Sequence, residues 1–403
     1  MTEIPAAVHD PDRLRQLAAL KADARRMIAA GQTAEAVDAL RAATALDLRD
    51  VPLWLNLAGV QRAIGDIKAA LQSVDAALAL EPKAFLGLLL KGSLLERMDQ
   101  KRAAAVQYGR AIAQAPQGSR VDAATDAALR HAQQVYQAYL ADLGRHVRAD
   151  LGARQAAAGD IESRRIDLFI DATLGTRRLY SQQPTDYCYP GLPAIEFHAR
   201  EDFPWLAGLE AETANIRDEL RTVMVGAADF TPYIAYPDGV PLDQWAALNR
   251  SPRWSAYHLF YRGQGVDDHA ARCPNTMAAL ANLPQPQAPG RMPAAMFSLL
   301  RPHTRIPPHT GVANVRLVVH LPLIVPPACG FRVGNETRQW REGEAWVFDD
   351  TIEHEAWNDS DDDRYVFIFD VWNPRLSTAE REMISAVMAA MDRYNDAVPD
   401  GSL

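Results

Sequence analysis

The chain has 403 residues, and since single domains usually run about 100–150 residues, two or three domains are expected. Hydrophobic residues make up 48% and charged residues 23% of the chain, which excludes a wholly disordered or fibrous protein. The formal net charge of −9 gives no broad attraction for phosphate backbones or acidic membrane faces, so neither nucleic acid nor a membrane is predicted as a partner.

The N-terminus and the cysteines bear on where the protein resides. The first residues lack the basic and apolar regions of a signal peptide, and no run of about 18 apolar residues occurs. Cys188, Cys273 and Cys329 are too few for a disulfide framework or a four-cysteine zinc site. We therefore expect a cytoplasmic protein with reduced thiols, and the sequence leaves its oligomeric state open.

Residues 11–155 have the composition and spacing of a helical repeat. Ala, Leu, Gln and Arg dominate, and β-branched runs are almost absent. Small residues and prolines recur every 34 positions, namely Ala36, Ala70 and Ala104, then Ala43, Ala77 and Ala111, then Pro82 and Pro116. This is the period of the tetratricopeptide (TPR) repeat, so three stacked helix pairs are predicted, with a capping helix at 121–154. Residues 156–188 are predicted to be a linker.

Repeats of this kind usually hold an extended peptide or a partner helix in their concave groove. A protein or peptide substrate is therefore a candidate partner of the TPR groove. Packing against a neighbouring domain, or dimerisation, remains an alternative that the sequence does not separate from the first.

Residues 189–376 are predicted to form a β-rich domain. Pro, Gly, Trp and Phe become frequent, and helical periodicity persists only at 205–225, where one amphipathic helix is predicted. Short apolar segments bounded by turn residues predict strands at 295–300, 315–323, 345–348 and 364–371. We expect a jelly roll followed by a C-terminal helix at 377–398, with Ser377 as N-cap. The predicted fold class is thus multidomain α + β.

Two histidines and one arginine stand out within this β-rich domain. His309 and His354 are each expected at a strand edge, where neutral imidazoles on adjacent strands can bind a divalent metal such as non-haem Fe(II). Arg364 opens the strand that follows His354 and can hold the distal carboxylate of 2-oxoglutarate through a charge-assisted fork. By strand alternation, Arg316 and His320 share one face of the segment 315–323.

The region from Tyr189 to Pro374 resembles the aspartyl/asparaginyl β-hydroxylases. The matching residues include Ser298, His309-Thr310-Gly311, Asn314, Arg316-Leu317, His320-Leu321, Cys329, Asn335-Glu336-Thr337, Trp340, Gly343, Phe348-Asp349-Asp350, His354-Glu355, Arg364 and Asp370-Val371-Trp372. The resemblance implies an Fe(II)- and 2-oxoglutarate-dependent dioxygenase on a double-stranded β-helix, the jelly-roll or cupin-like fold, with O2 as the oxidant.

The resemblance also implies a role for each site residue. His309 and His354 would be the metal ligands, and Gly311 stands where most such enzymes carry a carboxylate, so that water fills the third position. Ser298 and Arg364 would bind the outer carboxylate of 2-oxoglutarate, and His320 would contact the same molecule.

One position near this site departs from the family pattern, and two others carry alternatives. Val318 replaces the second Arg of the family's Arg-Leu-Arg-x-His pattern, which removes one basic contact. Arg316 remains a candidate for binding an acidic substrate group, with a buried ion pair as its alternative. Asp350 either orients the third-position water or caps a turn, and the cap is slightly favoured.

The expected function is therefore a hydroxylase, most simply one that β-hydroxylates Asp or Asn in a protein or peptide recruited by the TPR region. One alternative is a hydroxylase of a small molecule or a lipid acyl chain. Another is an interaction module with a vestigial dioxygenase domain, and the intact His309, His354 and Arg364 argue against it.

Overall fold

The structure is a computed structural model that describes residues 11–116, 121–225, 229–288 and 290–395. It divides into two compact units, Met1–Thr176 and Arg177–Leu403. Across these ranges, no helix is both long enough and apolar enough to cross a membrane.

The first unit consists of helices that pack in consecutive pairs, α1 on α2, α3 on α4 and α5 on α6. Their bounds are α1 Pro11–Ala29, α2 Thr33–Leu46, α3 Val51–Ala63, α4 Ile67–Leu80, α5 Phe85–Arg97 and α6 Lys101–Ala113. The alanines that recur every 34 positions are all fully buried, which lets the paired helices approach closely. Asp50 and Asp66 cap α3 and α4 through their side chains. The predicted helical repeat is confirmed.

The end of the first unit differs from the predicted linker. The capping helix, α7, spans Ala123–Ala156 and packs against α6. A further helix, α8, spans Asp160–Thr173 within the stretch 156–188 that we predicted to be a linker. Arg148 of α7 donates to Asp171 of α8 at 2.6 Å, and this ion pair ties α8 to α7. The linker prediction is therefore wrong for residues 160–173, where α8 is as long as α2.

The second unit contains two antiparallel sheets. Its strands are β1 Thr231–Pro232, β2 Trp254–Tyr261, β3 Gln264–Gly265, β4 Ala295–Leu300, β5 Thr304–His309, β6 Arg316–Ile324, β7 Cys329–Val333, β8 Glu336–Arg338, β9 Trp346–Phe348, β10 His354–Asn358 and β11 Arg364–Trp372. In the described residues, one sheet has the order β1-β2-β4-β11-β6-β9 with β3 beside β2, and the other has the order β5-β10-β7-β8. The four predicted strands are confirmed to within one or two residues.

Strand alternation divides the second unit into a core and a cavity. Leu317 and Val319 of β6 belong to a large apolar cluster behind the seven-stranded sheet, while Arg316, Val318 and His320 face a cavity between the sheets. The shared face predicted for Arg316 and His320 is confirmed.

Helices cover the outer face of the larger sheet and follow its last strand. They are α9 Leu206–Ala211, α10 Thr213–Met224, α11 Asp267–Ala271, α12 Pro274–Ala281 and α13 Thr378–Asn395. The single helix predicted at 205–225 is two helices, because the Thr213 hydroxyl donates to the Glu210 carbonyl at 2.6 Å where the chain turns. Ser377 caps α13 as predicted, since its hydroxyl accepts from the Glu380 amide. Residues 396–398 of that prediction lie outside the described ranges.

Candidate active site

His309 and His354 are direct neighbours in the four-stranded sheet. His309 ends β5, His354 begins β10, and the antiparallel register places one opposite the other, with ring centroids 4.0 Å apart. Each Nδ1 bonds to the carbonyl oxygen two residues earlier, at 2.8 Å to Pro307 and 3.0 Å to Ile352. A carbonyl only accepts, so Nδ1 carries the proton and Nε2 keeps its lone pair.

The surroundings of this pair favour neutral imidazoles. Burial, and to a lesser extent the neighbouring His354, lowers the pKa of His309 to about 3. Burial likewise lowers the pKa of His354 to about 4. Two neutral rings with free Nε2 atoms suit a divalent transition metal. Within the described residues, no group of three or more His, Cys, Asp and Glu side chains forms a metal-binding cluster.

A cavity of about 620 Å³ opens beside the histidine pair. It brings together every residue that the sequence nominated for this site, namely Ser298, His309, Arg316, His320, His354 and Arg364. The cavity is large enough for a small dicarboxylate together with part of a second molecule.

Arg364 is a buried cation without a carboxylate partner. Its side chain is among the largest fully buried ones, at 1% exposure, and its Nε and Nη2 atoms have no hydrogen-bond partner in the protein. The guanidinium lies 4.9 Å from the centroid of the Trp340 ring, and burial lowers its pKa to about 10. An unpaired buried charge is costly, so the position calls for an anion from outside the chain.

Ser298 and His320 flank Arg364 on the cavity wall. The Ser298 hydroxyl accepts from the Trp254 indole at 3.4 Å, and the buried His320 has no partner for Nδ1. Burial and then the charge of Arg364 lower the pKa of His320 well below its usual value, so the ring is neutral. Ser298, His320 and Arg364 all line the same cavity.

Arg316, a candidate for binding an acidic substrate group, is paired with carboxylates of its own chain. Its Nη2 donates to Asp350 at 3.0 Å, and its Nε lies 3.9 Å from Asp370. All three side chains are buried. The alternative of a buried ion pair is therefore what the structure shows. We call Arg316, Asp350 and Asp370 the ion cluster.

Asp350 does not cap the turn, contrary to the slightly favoured expectation. Asp349 takes that role, since its Oδ1 accepts from both the amide and the hydroxyl of Thr351. The Asp350 carboxylate lies against Gly311, where an added Cβ would fall 2.1 Å from Oδ2. Glycine is therefore required at position 311 to make room for Asp350.

Sequence reasoning missed the aromatic side of the cavity. Trp245 lies 5.1 Å from His309 between ring centroids, and Tyr233 stacks on Trp254 at 4.2 Å. We call these three aromatic residues the aromatic wall. Trp245 ends a short 3-10 helix in a turn-rich stretch, where no periodicity marks which way a side chain points.

A family model described as Aspartyl/Asparaginyl beta-hydroxylase matches residues 210–374. Human aspartyl/asparaginyl beta-hydroxylase is 34% identical over 180 residues, covering 44% of this chain and 22% of that protein. The ornithine lipid ester-linked acyl 2-hydroxylase of Rhizobium tropici is also 34% identical over 180 residues, covering 44% of this chain and 60% of that protein. The resemblance to the aspartyl/asparaginyl β-hydroxylase family is thus confirmed for residues 210–374.

The chain spans only part of these relatives, from 22% of the human enzyme to 60% of the rhizobial one. Among solved structures, the Yersinia enterocolitica type III secretion translocator chaperone SycD is 18% identical, with a TM-score of 0.28. That alignment covers 32% of this chain and 86% of the chaperone. The repeat architecture of the first unit accordingly rests on its own helix pairing.

Proposed function

We propose that this protein is an Fe(II)- and 2-oxoglutarate-dependent hydroxylase. The observation that carries the proposal is the unpaired, buried guanidinium of Arg364 in the same cavity as two neutral, adjacent histidines. The histidine pair suits the metal and the guanidinium suits a carboxylate, which together are the needs of an iron-bound 2-oxo acid.

The path of the chain supports a double-stranded β-helix as the fold of the second unit. From β4 to β11 the strands pass back and forth between the two sheets, and only β7 and β8 are consecutive neighbours in one sheet. Such winding brings the ends of β5 and β10 to the cavity that β4, β6 and β11 line from the other side. This crossing places the histidines opposite the arginine.

Each residue has a binding role in this proposal. His309 and His354 hold the metal through Nε2, and Arg364 with Ser298 binds the outer carboxylate of 2-oxoglutarate. His320 contacts the same molecule from β6. Asp350 lies against Gly311 and orients the water that takes the metal position of the absent carboxylate ligand. When bound, the iron couples dioxygen to the oxidative decarboxylation of 2-oxoglutarate, giving succinate and a hydroxylated substrate.

Two classes of substrate are candidates for the proposed hydroxylation. The first is an Asp or Asn residue of a protein or peptide that the TPR groove recruits, in keeping with the named activity of the human relative. The second is a small molecule or a lipid acyl chain, which the name of the rhizobial relative favours. A vestigial domain is disfavoured because the histidine pair and Arg364 are all in place.

The test is succinate release by the purified protein with Fe(II), 2-oxoglutarate and O2. His309→Ala and His354→Ala should each lose iron-dependent turnover and bound iron, because two protein ligands leave no redundancy. His303→Ala is the matched control, since the exposed His303 side chain pairs with Asp361 at the surface. Near-native turnover of either site variant at limiting iron would contradict the assignment.

A further inference from the structure

The cavity wall next to the proposed 2-oxoglutarate site is apolar. In the register of the larger sheet, Met296 of β4 lies beside Ile368 of β11, and Ile368 lies beside His320 of β6. Val318 is two residues from His320 on β6 and therefore shares its face. Met296, Val318 and Ile368 all line the cavity. We call these three side chains the aliphatic patch.

The aromatic wall adds further apolar surface to the same cavity. Trp245 and Trp254 both lie within 6.3 Å of the His309 ring between centroids. Ile306 of β5 also lines the cavity and is buried among the same apolar residues. A substrate that reaches the metal from this cavity therefore passes between aromatic and aliphatic side chains.

The charges of the cavity do not favour a carboxylate substrate. Of the described residues that line it, the basic ones are Arg316 and Arg364. Arg364 is taken by the outer carboxylate of 2-oxoglutarate in the proposed function. Arg316 is committed to two carboxylates, so the ion cluster has one excess negative charge when both acids are ionised. Repulsion from this charge is strong where water is excluded.

We propose that the group presented to the metal is an uncharged aliphatic chain rather than an aspartyl carboxylate. The aliphatic patch and the aromatic wall bind the chain, and the ion cluster excludes a carboxylate. The chain is either a fatty acyl group or an aliphatic amino-acid side chain, since both present the same hydrocarbon surface. This specificity rests on the proposed function, from which it takes the positions of the metal and of 2-oxoglutarate.

Binding under nitrogen, with Fe(II) and 2-oxoglutarate present, tests the specificity without turnover. The probes are a fatty acyl amide with a neutral head group and three short peptides. The peptides share one sequence and differ only at the central residue, which is Leu, Asp or Asn. Quenching of tryptophan fluorescence reports occupancy, because Trp245 and Trp254 line the cavity. The acyl amide or the Leu peptide should bind about tenfold or more tighter than the Asp and Asn peptides. The tighter of the two aliphatic probes identifies the source of the chain.

Two outcomes of this comparison would overturn the proposal. One is an Asp or Asn peptide that binds as tightly as the better aliphatic probe. The other is that neither aliphatic probe binds at millimolar concentration. Succinate release is measured on the same preparation, both with each probe and with no probe added. If no succinate is released under any of these conditions, the proposed function itself is contradicted.

A charge-reversing double variant tests which residues set the preference. Val318→Arg with Asp370→Asn adds one cation and removes one anion, so the ion cluster changes from one excess negative to one excess positive charge. The Ala294 amide donates to Asp370 Oδ1 at 2.9 Å, and the Asn keeps an Oδ1 that can accept this hydrogen bond. The Asp peptide should bind about tenfold tighter, and the better aliphatic probe about tenfold weaker.

The matched control is Val318→Leu with Asp370→Asn, which keeps the aliphatic patch and should keep the aliphatic preference. Circular dichroism confirms that both double variants are folded. If the charge-reversing variant binds the Asp peptide no better than the control does, Val318 and the ion cluster do not set the specificity.

Discussion

Two arginines on the same cavity wall have opposite electrostatic environments. Arg316 has carboxylates at 3.0 Å and 3.9 Å, and these raise its pKa against the opposing effect of burial. Arg364 has no carboxylate partner, and burial lowers its pKa to about 10. Arg316 thus stabilises the empty site, whereas the charge of Arg364 is balanced only when an anion binds.

Replacement of Arg364 tests this contrast. Arg364→Ala should weaken 2-oxoglutarate binding about a hundredfold or more, since losing one partner of a buried charge pair costs about 3–5 kcal/mol. Arg364→Lys should restore part of the affinity, because it keeps the charge but loses the planar fork. The dissociation constant of 2-oxoglutarate, measured by calorimetry, is the readout. Arg305→Ala is the control, because Arg305 is 64% exposed and pairs with Asp359 at the surface. An unchanged affinity in Arg364→Ala would place the carboxylate site elsewhere.

At the level of secondary-structure elements, the packing of α5 against α6 depends on a glycine at their contact. A Cβ at Gly92 would lie 2.4 Å from the Tyr108 ring, so the glycine allows the two helices their close approach. The Tyr108 hydroxyl donates to Glu96, also on α5, at 2.8 Å. Packing at this position, rather than helix propensity, decides which residue fits.

Gly92→Ala and Gly59→Ala should change stability in opposite directions. Gly92→Ala forces Tyr108 to move and should destabilise the first unit by about 1–3 kcal/mol. At Gly59, inside α3, nothing lies within 4 Å of an added Cβ. Gly59→Ala should therefore stabilise α3 by about 0.5–1 kcal/mol through helix propensity.

Peptide-resolved hydrogen exchange is the measurement for this pair of variants. Exchange should become faster in α5 and α6 with Gly92→Ala and slower in α3 with Gly59→Ala. The same sign of change in both variants would show that propensity, and not the contact with Tyr108, governs position 92.

For the whole molecule, the unit boundary at Thr176 and Arg177 decides where the chain is best divided. A cut near residue 150 would pass through α7, which runs without a break to Ala156. Residues 177–188 contribute to the second unit, since Gln183 and Thr185 bond to the backbone of Thr351 and Gly311 beside the cavity. A fragment of residues 177–403 therefore keeps all the proposed site residues together.

This fragment should retain uncoupled 2-oxoglutarate turnover, because the first unit contributes none of the proposed ligands. If the TPR groove recruits a protein, the fragment should lose most activity on that protein but keep activity on a short peptide at high concentration. Succinate release and mass spectrometry of both substrates compare the fragment with the full chain. Circular dichroism first establishes that the fragment is folded. Equal losses on long and short substrates would argue against recruitment.

Much of the site was predictable because its residues lie on regular strands. Alternation placed Arg316 and His320 on one face. Residue chemistry singled out His309 and His354, although their strands, β5 and β10, were not among the four predicted ones. The aromatic wall was not predictable in this way. Trp245 reaches the histidines from a turn-rich segment, and its position depends on contacts distant in sequence.

The sequence by itself determined the 34-residue helical repeat, four strands of the β-rich unit and the identities of the candidate ligands. The repeat and these strands follow from local periodicity, and the ligands follow from residue chemistry together with the family resemblance. Only the tertiary structure decided which arginine is free to bind an anion. Asp350 and Asp370 lie 34 and 54 positions beyond Arg316, and the pairing of strands across the unit brings them to it. Charge compensation depends on distance in space, which the spacing of residues along a chain does not specify.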